Sequence, residues 1–296
     1  MKLKVLDLFS GIGGFSLGLE RTSGFETVAF CEIEDFPRRV LAKHWPSVPC
    51  YRDVRELTAE QLAADGIAVD VICGGFPCQD ISTAGKGAGL VGERSGLWSE
   101  IARLVGELRP QYVIVENVSA LLGRGLGTVL GDLAALRYDA EWHCIPASHV
   151  GAPHRRDRIW IVAYPTGIGH GQGREERNIH QADERQNGQL RAVTCGAGSE
   201  PKDLANADSQ GPQGWAEAGN TESIWAGRKQ LIERCADGFR TTWPTEPNVG
   251  RVANGIPDRS HRLKGLGNAV VPQIPELIGN AILSAIANLC DGGVDR

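Results

Sequence analysis

The chain has 296 residues, 42% of them hydrophobic and 23% charged, a composition suited to one substantial core with a smaller appended unit. A formal net charge of -5 and a pI near 5.8 exclude a basic field over the whole protein, so any contact with nucleic acid has to come from local basic clusters. No stretch approaches the roughly 18 uninterrupted apolar residues of a membrane span, and no cleavable signal pattern precedes the first apolar run, so the expectation is a cytoplasmic, monomeric protein with no membrane partner.

From Lys2 to Ala163, short β-rich runs alternate with helix-like segments, the rhythm of a doubly wound α/β sheet with helices on both faces. The pattern predicts strands over Leu3–Phe9, Thr27–Cys31, Val69–Cys73, Tyr112–Glu116, Ala140–Ile145 and Ile159–Ala163. Helices are predicted over Phe15–Thr22, Asp35–His44, Thr58–Ala64, Leu97–Arg109 and Leu126–Arg137. Runs such as VDVIC and YVIVE are apolar on both faces, as central parallel strands covered on each side must be. After Tyr164 and Pro165 the composition turns to Gly, Gln, Asn, Arg and Glu as far as Arg262, with no clear period, and reads as an insertion or a partly disordered segment. Apolar, helix-like character returns at Ile274–Leu289, which is expected to pack back on the first domain. The resulting division is a first domain over 1–165, an inserted unit over 166–262 and a returning segment over 263–296.

The first strand runs into DLFSGIGGFSLGLE, where Gly11, Gly13 and Gly14 join a strand to a helix. Glycines there allow a tight turn and close approach of a ligand to the backbone, as in nucleotide-binding folds generally. Glu32 follows the second strand, where a carboxylate can accept both ribose hydroxyls, and Asp53 follows the next short apolar segment. Each acid alone would be an ordinary loop or cap residue; with the glycine turn they fit an adenosyl ligand. A ligand without phosphates, such as S-adenosylmethionine, relies on such carboxylates more than a dinucleotide does, although an NAD-type fold remains the alternative on these residues.

Eight cysteines, at positions 31, 50, 73, 78, 144, 195, 235 and 290, form no Cys-x-x-Cys pair, which argues against a disulfide framework and a zinc ribbon; no metal is expected. One of them, Cys78 in GGFPCQDIS, stands just beyond a strand end beside the cofactor crevice, the place for a nucleophile, though strand-end cysteines are more often structural. A later strand brings Glu116 of ENV to the same edge, and HRRDRIW (154–160) carries Arg155, Arg156 and Arg158, the densest basic patch. A thiolate, a carboxyl group and spaced arginines beside an adenosyl site have a chemical reading. A thiolate adds to C6 of cytosine only if charge building on the ring is neutralised at N3, which a protonated Glu116 could do, and the addition makes C5 a nucleophile for a methyl sulfonium.

In order and spacing, DLFSGIGG, GGFPCQ, ENV, HRRDR and GNAVVP (267–272) resemble the motifs of the C5-cytosine DNA methyltransferase family, bacterial or phage type, across nearly the whole chain outside 166–262. The resemblance implies a Rossmann-like S-adenosylmethionine-dependent methyltransferase fold with a smaller, irregular target-recognition domain inserted at 166–262. It further implies methyl transfer to C5 of a cytosine rotated out of double-stranded DNA, with Cys78 as nucleophile, Glu116 as the N3 partner, and Arg156 and Arg158 as charges around base and phosphate. Phe9, Ser10, Gly11, Gly13, Gly14, Glu32, Asp53, Val54, Pro77 and Asn268 would line the S-adenosylmethionine site. Two positions depart from the family pattern: His154 stands where Gln is usual, and Ile33 where some members carry a Trp that stacks on adenine.

The glycine-rich run after Cys78, with Lys86 and Arg94, lacks the spacing of a phosphate loop and by the same resemblance is a lid over the flipped base. Arg251, Arg259, Arg262 and Lys264 are candidate phosphate contacts or, equally, a solvated face. Two other readings stay open on the sequence: the same chemistry on RNA, against which the long insertion argues, and a catalytically silent DNA-binding scaffold.

Overall fold

The structure is a computed structural model that describes residues 1–77, 96–167 and 259–291. All of these residues belong to one compact unit.

A seven-stranded sheet forms the centre, in the order β3-β2-β1-β4-β5-β7-β6. Its strands are β1 (Leu3–Leu8), β2 (Phe25–Cys31), β3 (Cys50–Tyr51), β4 (Val71–Gly75), β5 (Tyr112–Val118), β6 (Tyr138–Pro146) and β7 (Asp157–Pro165). Strands β1 to β5 are parallel, whereas β7 runs antiparallel to both β5 and β6. The described helices are α1 (Gly14–Arg21), α2 (Asp35–His44), α3 (Ala59–Ala64), α4 (Leu97–Leu108), α5 (Leu121–Arg124), α6 (Leu126–Ala135), α7 (Arg259–Asn268) and α8 (Gln273–Asp291). All six predicted strands are present, with ends displaced by up to two residues; β3, α5 and α7 were not anticipated.

The period-2 alternation of the central strands divides the core in two. Leu6 and Leu8 of β1, Ile72 of β4, and Val113 and Val115 of β5 pack with Leu62 of α3, Trp98, Ile101, Leu104 and Val105 of α4, and Val129 and Leu133 of α6. On the other face Val5, Val71, Cys73 and Ile114 pack with Phe15 and Leu19 of α1 and Ile274, Ile278 and Ile282 of α8. α4 is fitted to its place by apolar residues at helical spacing and by Trp98, whose Nε1 donates to Asp132 Oδ2 of α6 at 2.7 Å. Thr58 caps α3, its hydroxyl accepting from the Gln61 N–H at 3.2 Å.

α8 packs against α1, and small residues let the two lie close. A Cβ on Gly18 would stand 2.1 Å from the Pro272 carbonyl oxygen, and one on Gly14 2.6 Å from that of Val270. The stretch Ser260–Asn288 is long and apolar enough, by length and composition, to cross a membrane; its apolar residues Ile274, Leu277, Ile278, Ala281 and Ile282 are buried, as in a core helix. The expected boundary at 262/263 falls inside α7.

Candidate active site

The parallel strands end in register. Leu8 pairs with Cys31 and with Gly74, and Gly75 pairs with Glu116. Phe9, Glu32 and Phe76 therefore leave the sheet along one edge, beside Glu116 and Asn117, where open α/β sheets bind their ligands.

On the β1–β2 side, Ser10 ties the two strand ends together. Its N–H donates to the Cys31 carbonyl and its hydroxyl accepts from the Cys31 N–H, both at 3.2 Å. Phe9 and Gly11 both have φ near +53°, which turns the chain so that the Gly11 N–H donates to Glu32 Oε2 at 2.7 Å. The Glu34 N–H donates to Oε1 at 2.8 Å, so each oxygen of this buried carboxylate carries one backbone donor. A carboxylate offers about four acceptor positions, which leaves one on each oxygen for a ribose hydroxyl. Arg38 steadies the approach, its guanidinium donating to the carbonyls of Glu32 at 3.1 Å and Tyr51 at 2.8 Å.

The three glycines of the turn are not equivalent. A Cβ on Gly13 (φ +83°) would stand 2.7 Å from the Trp45 ring, and Gly14 faces Val270, so these two make room for the protein itself. A Cβ on Gly11 meets nothing within 4 Å among the described residues, and Gly11 is the position where a ligand can approach the backbone. Asp53, two residues beyond β3, is chelated by Arg55 (Nη2 to Oδ2 2.6 Å, Nε to Oδ1 3.0 Å), and these hydrogen bonds hold its carboxyl below the usual range. Val54 is buried in the core, and its carbonyl accepts from Arg103 Nη2 at 3.0 Å. Pro77 and Asn268 are exposed.

Cys78, the run after it through residue 95 and Arg251 lie outside the described residues, as does nearly all of 166–262. The strand end that leads to Cys78 is described. Phe76 is buried against Trp98, with ring centroids 5.7 Å apart, and its carbonyl accepts from Asn117 Nδ2 at 3.2 Å. Asn117 thus anchors the backbone two residues before Cys78, a role the sequence pattern did not single out.

Glu116 stands over the same strand end. Its carboxylate occupies the space that a side chain at Gly75 would need, a Cβ there lying 2.7 Å from Oε2. Because β7 is antiparallel to β5, with Arg158 opposite Val118, Arg158 is a diagonal neighbour of Glu116 on one face. The result is an ion pair, Arg158 Nε to Glu116 Oε1 at 2.9 Å. Burial raises the Glu116 carboxyl above its ordinary value, opposed by the charges of Arg158 and Arg156. A protonated Glu116 is therefore more accessible near neutral pH than for an exposed carboxyl, and such a group can donate a hydrogen bond to a ring nitrogen.

Arg156, with φ +40°, turns away from this pair: Nη1 donates to the Gly267 carbonyl and Nη2 to that of Ala269, both at 2.8 Å. Arg155 is exposed and pairs with Asp157 at 2.8 Å. Lys264 pairs with Glu34 at 3.0 Å, and Arg262 is exposed. Also unforeseen is Asp7, wholly buried, with its Oδ2 accepting from Ser16 Oγ at 2.7 Å. Burial pushes its carboxyl up to about 7, against the lowering effect of the Ser16 and Cys73 hydrogen bonds.

The chain is 36% identical over 169 residues to Type II methyltransferase M2.BsuMI of Bacillus subtilis (strain 168), a match that covers 54% of this chain and 42% of that protein. It is 32% identical over 197 residues to Type II methyltransferase M.Sau3AI of Staphylococcus aureus, covering 59% of this chain and 46% of the relative. The chain thus spans less than half the length of these curated relatives. The methyltransferase EhMeth of Entamoeba histolytica has a similar fold, with a TM-score of 0.50 at 18% identity over 62% of this chain and 58% of that one. The family model for C-5 cytosine-specific DNA methylase matches residues 3–242, and the chain belongs to that family.

Proposed function

We propose that this protein transfers the methyl group of S-adenosylmethionine to C5 of a cytosine in a specific double-stranded DNA site, through a covalent bond between Cys78 and C6 of a base rotated out of the helix. The observation that carries the reading is Glu116: a half-buried carboxyl, raised by its partial removal from water and held by Arg158, above the strand end three residues before Cys78.

The glycine turn supports the choice of cofactor, because Gly11 leaves space for a ligand and Glu32 keeps acceptor positions beside it. Glu32 would hold the ribose, with Phe9, Asp53, Val54, Pro77 and Asn268 as further contacts. When bound, S-adenosylmethionine supplies an electrophilic methyl group.

In the reaction the Cys78 thiolate adds to C6 while Glu116 donates to N3, so that the electron pair moved onto the ring is not left as a bare anion. Arg158 keeps the Glu116 carboxyl aimed and limits how far burial can raise it. C5 becomes the nucleophile and accepts the methyl group, the donor sulfur keeping the electron pair of the bond that breaks and N3 returning its proton to Glu116; a base then removes the C5 proton, and the electron pair of that bond restores the 5,6 double bond as Cys78 leaves as a thiolate. The glycine-rich run over 82–96 acts as a lid that excludes water, and residues 166–262 as the target-recognition domain, with 1–165 and 263–296 forming the catalytic lobe. We place the protein in the cytoplasm of a bacterium or encoded by a phage, as a monomer on duplex DNA.

Duplex DNA carrying 5-fluorocytosine tests the covalent step, because the C5 substituent cannot leave as a proton. A complex that survives denaturation, requires S-adenosylmethionine and disappears with Cys78→Ala is expected; an equally stable complex with Cys78→Ala rules the mechanism out.

A further inference from the structure

Two arginines of one short segment serve different sites. Arg158 pairs with Glu116, whereas Arg156 spends its guanidinium on two backbone carbonyls 111 and 113 residues away in sequence, Gly267 and Ala269. These carbonyls lie at the C-terminal end of α7, which closes at Asn268. The last carbonyls of a helix have no partner within it, and a cation there is favoured by both hydrogen bonding and the helix dipole. The planar fork of an arginine can serve two such oxygens at once, which the point charge of a lysine does less well. Arg156 adopts a left-handed φ of +40° in making this contact, a conformation that non-glycine residues seldom hold without a reason.

The segment that Arg156 grips runs along the glycine turn. Gly265 lies against Ile12 and Phe36, a Cβ there being 3.5 Å from each. Lys264 pairs with Glu34, the residue whose N–H donates to Glu32, and the Val270 carbonyl oxygen packs on Gly14. Between the two gripped carbonyls stands Asn268, with an exposed side chain. At the other end, the charge of Arg156 acts on Glu116, and that of Glu116 on Arg156.

We propose that Arg156 is a positioning residue for the cofactor, which clamps the Gly267–Ala269 backbone and so presents Asn268 at the glycine turn, instead of contacting the target base or a DNA phosphate. This rests on the reading of residues 9–14 and Glu32 as the S-adenosylmethionine site. It assigns the two arginines separate tasks and ties the cofactor strap to the strand that carries Arg158.

Arg156→Lys keeps the charge and loses the fork. We expect it to weaken S-adenosylmethionine binding by about tenfold in calorimetry without DNA, to raise KM for the cofactor, and to leave KM for DNA unchanged. Asn268→Ala should give a similar loss, and the double variant little more than either, since the two act through one contact. Unchanged cofactor affinity with a raised KM for DNA overturns the proposal, as do additive losses. If Arg156→Lys does not fold, Asn268→Ala decides alone: an undiminished cofactor affinity overturns it. Cofactor binding that falls as expected in a protein that methylates no DNA supports the clamp and contradicts the proposed function instead.

Discussion

The carboxylate of Glu116 lies in the space above Gly75, its register partner on the neighbouring strand, so closely that a methyl group at position 75 would stand 2.7 Å from Oε2. The obstructing atom is the far end of a side chain, not backbone. Gly75→Ala should therefore be accommodated by displacing the carboxyl group, with a stability loss within about 1 kcal/mol, while kcat falls on the order of 100-fold because a misplacement near 1 Å is that costly to an aligned reaction. Thermal unfolding and single-turnover methyl transfer separate the two effects; a large loss of stability with kcat retained would mean that Glu116 is not the group that matters.

Glu116→Gln removes the ionisable proton but preserves shape. Methyl transfer should fall by roughly 10²- to 10⁴-fold, the usual range for a lost general acid. In the proposed reaction the protonated carboxyl is the donor to N3, and burial raises it above the ordinary carboxyl range, so activity should decline on the alkaline side as Glu116 ionises, opposite to the rise expected from ionising Cys78. A bell-shaped kcat profile in the wild type, with its alkaline limb absent from Glu116→Gln, is the expected outcome; identical profiles count against the assignment.

Glu32→Ala should act on the cofactor alone. It removes the acceptor held by the Gly11 and Glu34 N–H groups and proposed for the ribose, and S-adenosylmethionine affinity should fall by 10- to 100-fold, about 1.4 kcal/mol per decade. Equilibrium binding reads this directly, with DNA affinity in the absence of cofactor as the control that should not move.

Asp7 makes stability depend on pH. Its folded value, about 7, lies above its ordinary 3.8, so the folded protein binds more protons than the unfolded chain between those values. The folded state is consequently destabilised as pH rises from about 4 to 7, with an upper limit of roughly 4 kcal/mol. Asp7→Asn should unfold at nearly the same denaturant concentration as wild type near pH 4 and at a higher one near pH 8. A constant difference between the two proteins across that range would show that Asp7 does not titrate as its burial requires.

The sheet was legible because its inner strands are apolar on both faces: LKVLDL, VICGG and YVIVENV each fill two cores, as does IWIVA within β7. β3 was not, since Cys50 and Tyr51 join the sheet through backbone pairing that leaves no apolar period. Nor could pattern reveal that β7 inserts antiparallel between β5 and β6, although that reversal is what brings Arg158 to Glu116. Gly11, Glu32 and Glu116 were visible as residue types at strand ends. The tasks of Gly13, Gly14, Gly75 and Arg156 were not, because each is set by a partner distant in sequence: Trp45, Val270, Glu116, and the carbonyls of Gly267 and Ala269. Asp7 is a buried acid within a largely apolar strand, and the hydroxyl of Ser16, two residues beyond Gly14 in the first turn of α1, helps it to be tolerated there.

The most direct test of the whole account is to incubate the protein with duplex DNA and labelled S-adenosylmethionine and to locate 5-methylcytosine by bisulfite sequencing. Protection of one cytosine within a single short recurrent sequence, abolished by Cys78→Ala, is the predicted result. Confirmed cofactor binding with no methylated cytosine in duplex DNA, or label transferred to RNA instead, would contradict it.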